Sequence, residues 1–138
     1  MLYNTSFSEA YGTQRIDREI GPAIPLDQRF TLGESISSPL KIVSCCVRFQ
    51  NLMLFNTSKK CHLEMRPQGI LVHFQSMQMC MVWCIPFYKL KITRAQYGVY
   101  TLRANGRYIS IHVEKEDAEA YLKRLLERKA DSTTSFWG

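Results

Sequence analysis

Between Lys41 and Val113 the chain breaks into seven strand-like runs, most with apolar and polar residues alternating and one, Met79–Ile85, apolar on both faces as a central strand would be, and one amphipathic stripe follows them. Alternation with period two is the mark of strands that bury one face only, so the middle of the chain is predicted to form an antiparallel sheet. The runs are Lys41–Phe55, bent near Gln50-Asn51, then Cys61–Met65, Ile70–Gln75, Met79–Ile85, Lys89–Thr93, Tyr100–Arg103 and Tyr108–Val113. Asn56-Thr-Ser-Lys-Lys60 and Arg66-Pro-Gln-Gly69 read as turns. Asn105-Gly106 is the strongest hairpin signal, because this pair accepts the positive φ angles of a type I′ turn. From Lys115 to Lys129 the period changes: Ala118, Tyr121, Leu122, Leu125 and Leu126 form one helical stripe. Acids gather at its start and bases at its end, as the helix dipole favours.

The flanks differ in texture. Residues 1–39 are polar and carry Gly12, Gly21-Pro22, Pro25, Gly33 and Pro39, which predicts an extended arm that docks, if at all, through Ile20, Ile24, Leu26, Phe30 and Leu32. Residues 131–138 read as a short polar tail ending in Phe136-Trp137. The expected organisation is therefore an arm (1–39), one β domain with its helix (40–130) and a tail (131–138). A chain of 138 residues with 46% hydrophobic residues can bury a single core without disulfide support.

Charge is unevenly shared. Residues 41–113 hold Lys41, Arg48, Lys59, Lys60, Arg66, Lys89, Lys91, Arg94, Arg103 and Arg107 against Glu64 alone, a balance of +9, while residues 1–40 sum to −2 and residues 114–138 to −1, giving the total of +6. A field of that sign attracts anionic partners. Lys59, Lys60, Arg66, Lys89, Lys91, Arg103 and Arg107 are the residues expected to contact such a partner.

The order of elements resembles the pleckstrin-homology superfold, and Gly69-Ile-Leu-Val-His-Phe74 followed by Val82-Trp-Cys-Ile-Pro-Phe-Tyr-Lys-Leu-Lys-Ile92 is similar to segments of bacterial PH-like and GRAM-like domains. The resemblance covers about residues 40–130. It implies a seven-stranded antiparallel barrel or sandwich capped by a C-terminal helix. It also implies a binding role, with Lys59 and Lys60 in the first hairpin turn and Lys41, Arg48 and Arg66 on the strands beside it.

Other chemistries find little footing. Cys80 and Cys84 would lie about 13 Å apart along a strand, too far to share a metal. Cys61 and His62 are adjacent and point to opposite faces of a strand. No thiol–histidine–acid pattern, phosphate-binding loop or dinucleotide fingerprint occurs, so neither catalysis nor a metal or organic cofactor is expected. Met77, Met79 and Met81 share a strand face and read as core filler. Five cysteines make an odd set that suits a reducing compartment. The first ten residues lack the pattern of a secretory signal, and the longest apolar run, Met79–Phe87, is about half a membrane helix. The expectation is a non-catalytic cytoplasmic module that docks a protein or an anionic lipid surface through basic strands. Two alternatives are a homo-oligomeric assembly protein that uses the arm and the Met79–Ile85 strand, and a less favoured single-stranded nucleic-acid binder using Tyr97, Tyr100 and Tyr108.

Overall fold

The structure, a computed structural model, describes residues 2–4, 9–22, 36–52, 59–76 and 79–137. Its elements are β1 (Leu2–Asn4), α1 (Glu9–Ile20), β2 (Leu40–Cys45), α2 (Val47–Leu52), β3 (Lys60–Arg66), β4 (Gly69–Ser76), β5 (Met79–Pro86), β6 (Lys91–Arg94), a 3₁₀ turn (Gln96–Gly98), β7 (Val99–Ala104), β8 (Arg107–His112) and α3 (Glu116–Trp137). The strands form one sheet in the order β1-β5-β4-β3-β2-β8-β7-β6, with every pair antiparallel.

This sheet is open, which corrects the expected seven-stranded barrel. Its ends are β1 and β6, and among the described residues β6 pairs with β7 alone. Closing the barrel would require β6 to approach the free edge of β5. That edge is taken by β1, in the register Leu2↔Trp83, Tyr3↔Val82 and Asn4↔Met81. An eighth strand thus occupies the position where closure would occur.

One face of the sheet is apolar across its centre. Leu40, Ile42, Leu63, Ile70, Val72, Trp83, Ile85, Leu102, Ile109 and Ile111 contribute to a single core from both halves of the sheet. α3 covers it with Ala118, Tyr121, Leu122 and Leu125, the stripe expected from the sequence. The Tyr121 hydroxyl donates to the Leu63 carbonyl at 3.1 Å, which satisfies the one polar atom this ring brings into the core. The helix runs on to Trp137, through the residues expected as a tail, because nothing between Asp131 and Trp137 is a helix breaker.

Two further segments differ from expectation. The strand read from Lys41 stops at Cys45 and the chain turns into α2. This helical turn drops Phe49 into the core, with its ring 5.5 Å from Phe74 and 4.9 Å from Trp83, while Val47 and Arg48 stay exposed. The region expected as an extended arm contains β1 and the helix α1. Ile16 and Ile20, four apart on one helix face, pack on Leu71, Val82 and Cys84 and form a second small core on the outer face of β4 and β5. Gly69 permits this approach: a Cβ there would lie 2.5 Å from Ile20 Cγ2 and from the Ile85 carbonyl oxygen. Ile24, Leu26, Phe30, Leu32, the Asn56–Ser58 part of the expected turn and Met77 lie outside the described residues.

Candidate anion-binding site

Strand pairing decides which cations meet. Lys91 is opposite Arg103, and Arg103 is opposite Tyr108, so these three share the outer face of β6, β7 and β8. The β7–β8 turn adopts φ 53° at Asn105 and 76° at Gly106, the positive pair anticipated for a type I′ hairpin. It brings Arg107 to the end of the same strand pair, and the turn that follows β5 supplies Lys89. Together Lys89, Lys91, Arg103, Arg107 and Tyr108 line an open hollow of about 270 Å³ around the hairpin tip. Among the described residues no acidic side chain lines it.

One aromatic ring, Tyr108, lines this hollow, and a second, Tyr88, lies beside its Lys89. The Arg103 guanidinium lies 5.4 Å from the centre of the Tyr108 ring, which props it over the sheet. Lys89 Nζ stands 5.6 Å from the ring of Tyr88, a residue 80% exposed. The turn has open space at its tip, since a Cβ on Gly106 would meet no atom of the described residues within 4 Å. The hollow can therefore admit a group carrying several anionic oxygens and offer it guanidinium forks and ammonium donors together.

The other expected contact residues lie elsewhere. Arg66 is only 8% exposed and is consumed by the fold: its Nη1 donates to Asp17 Oδ1 at 2.9 Å and to the Gly21 carbonyl at 3.0 Å, and its Nε donates to Glu64. It ties the C-terminal end of α1 to β3, where a cation also complements the helix dipole. Burial opposes ionisation of Glu64, but hydrogen bonds from His73 and Arg66 outweigh it and hold the carboxyl below its ordinary range. His62 stacks on His73 with ring centres 4.5 Å apart, and burial followed by the nearness of His73 lowers its pKa. Lys59 and Lys60 are exposed around the start of β3, where Lys60 is opposite Lys41 of β2. Lys59 borders a separate hollow of about 340 Å³ with Ser44, Gln50 and Asn51.

The structure thus gathers four of the seven expected residues and separates three. It also adds one feature: Thr93, Thr101 and Ser110 form a row of hydroxyls next to the Lys91–Arg103 row, with Thr101 Oγ1 2.7 Å from Ser110 Oγ. Strand alternation alone puts Thr93 on the face of Lys91, so this row was open to sequence reading.

Among the described residues no His, Cys, Asp or Glu side chains gather into a set able to hold a metal ion. Burial pushes the thiols of Cys61 and Cys84 up to about 12, which disfavours the nucleophilic thiolate. No helix among the described residues is long and apolar enough to cross a membrane. No protein-family model, curated protein or solved structure matches this chain, so the pleckstrin-homology resemblance gains no support from relatives.

Proposed function

We propose that this protein is a non-catalytic binding module that takes a phosphate-bearing anion at the β7–β8 hairpin. The observation that carries the reading is the direct opposition of Lys91 and Arg103, with Lys89 and Arg107 beside them and no acid among the described residues that line the hollow. Like charges set opposite each other in a ladder are destabilising, and an anion between them turns that repulsion into attraction.

Protection of a sheet edge is the plain alternative account of surface lysines. It covers Lys91, on the edge strand β6. It leaves Arg103 and Arg107 unaccounted for, because β7 is paired on both sides and β8 lies between β7 and β2. A lining of cations, a phenol and turn backbone offers donors for binding and no general base, which suits recognition rather than catalysis. Five thiols fit a cytoplasmic setting. The assembly reading needed an exposed apolar edge at Met79–Ile85; β5 instead lies between β1 and β4, and Val82 to Ile85 are buried.

Calorimetric titration with inorganic pyrophosphate at two salt concentrations tests the proposal. Saturable, salt-sensitive binding that disappears in the double variant Lys91→Ala, Arg103→Ala supports it. Absence of binding, or equal binding by the variant, overturns it.

A further inference from the structure

The hairpin hollow is one end of a longer track. Next to the row of Lys91, Arg103 and Tyr108 comes the hydroxyl row of Thr93, Thr101 and Ser110, which Ser44 of β2 extends. Beyond it, Val99, His112, Lys41 and Lys60 form a third row across β7, β8, β2 and β3. Lys41 and Lys60 are a second directly opposed pair of cations. α1 packs on the outer face at Leu71, Val82 and Cys84, so this part of the sheet is left outside its cover, and Lys41, Ser44, Lys60, Lys91, Thr93 and Arg103 are all exposed.

The two cation rows are about 14 Å apart along the strands and Arg103 and Lys41 are about 10 Å apart across them, a diagonal of about 17 Å. Two charged stations joined by hydroxyl donors suit a linear anion with repeated charges better than one compact headgroup. Aromatic rings stand at both stations. Tyr88 flanks the first, and Tyr97, 88% exposed, projects from the 3₁₀ turn beside the second, where its carbonyl is 3.0 Å from His112 Nε2. Glu114 stands near this second station, its carboxylate 3.2 Å from His112 Nδ1.

From this arrangement we infer that the phosphate-bearing ligand is a short single-stranded nucleic acid, laid diagonally from the hairpin to the Lys41–Lys60 pair. Its phosphates meet the two cation stations and the exposed hydroxyls of Thr93 and Ser44 between them, and its bases stack on Tyr88 and Tyr97. The pairing of a basic track with exposed aromatic rings is the general recipe for strand binding without sequence preference, and the span fits about four nucleotides. The inference rests on the proposed hairpin site and extends it.

Fluorescence anisotropy with labelled oligothymidylates of two, four and eight nucleotides tests it, beside an abasic eight-mer, phosphatidylserine vesicles and inorganic pyrophosphate. Affinity is expected to rise from the dimer to the longer strands and to fall roughly fiftyfold between 50 and 200 mM salt if about four phosphates are engaged. The double variant Lys41→Ala, Lys60→Ala should bring the longer strands down towards the dimer and flatten the salt slope, with pyrophosphate binding unchanged. Tyr97→Ala should weaken the eight-mer but not its abasic counterpart. Binding that ignores length, an abasic strand that binds as well as the normal one, or binding to vesicles without binding to strands would each overturn the inference. Retained pyrophosphate binding in such a case leaves the hairpin site standing; its loss removes both.

Discussion

Lys91 and Arg103 stand directly opposite each other across β6 and β7, two cations in one rung of an antiparallel ladder. Such a rung costs the fold up to about 1 kcal/mol relative to a neutral pair. Arg103→Thr is therefore expected to leave stability equal or a few tenths of a kcal/mol higher in urea denaturation. The same substitution should weaken pyrophosphate binding severalfold. A gain in stability together with a loss of binding separates a functional cation from a structural one.

Arg66 should behave in the opposite way. Its guanidinium is buried between Asp17, Glu64 and the Gly21 carbonyl, so Arg66→Met leaves Glu64 without its guanidinium partner. The expected loss is about 3 kcal/mol of folding stability, as for a buried pair broken on one side. Pyrophosphate affinity of the folded fraction should not change, although the sequence alone placed Arg66 among the contact residues.

Acid should unfold the protein in two stages. The folded pKa of His62 is lowered, by burial first and then by His73, so the unfolded chain binds the proton more readily, and stability begins to fall as the pH drops through about 6.5, the ordinary histidine value. Glu64 is likewise held below its ordinary value of 4.5 in the fold, so its contribution is intact above that value and is lost as the pH falls through the lower folded pKa. Thermal unfolding followed from pH 7.5 downward should show both losses. His62→Phe should remove the first and keep the second.

Two glycines allow a contrast of causes. Gly69→Ala forces a methyl to within 2.5 Å of Ile20 and of the Ile85 carbonyl oxygen, and should cost about 2–3 kcal/mol while loosening α1. Gly106→Ala meets no neighbour but keeps a φ of 76°, so its cost should be only about 1 kcal/mol. Chemical denaturation of the two variants checks the order.

The central strands and the stripe of α3 were legible because half-buried elements write their period into the chain, as Ile109 and Ile111 do on β8 and Val113 just beyond its end. The hairpin was legible from Asn105-Gly106, whose chemistry is local. α1 was not, since among its described side chains the contact with the sheet is made by Ile16 and Ile20, two apolar positions in a mostly polar stretch. Barrel closure failed for a similar reason: three residues, Leu2–Asn4, decide what pairs with β5, and nothing in so short a segment announces its partner. At the site, Lys89, Lys91, Arg103 and Arg107 were all selected by charge, but charge could not separate them from Arg66. That distinction depends on Asp17, far away in the chain and brought close only by the docking of α1.

The account stands or falls on where the anion sits. Backbone amide chemical shifts recorded while inorganic pyrophosphate is titrated into the full chain give the answer residue by residue. The account predicts that the largest saturable changes fall on Lys89–Lys91 and Arg103–Tyr108. Changes centred on Lys59–Arg66, changes spread evenly over the basic surface, or none at all would contradict it.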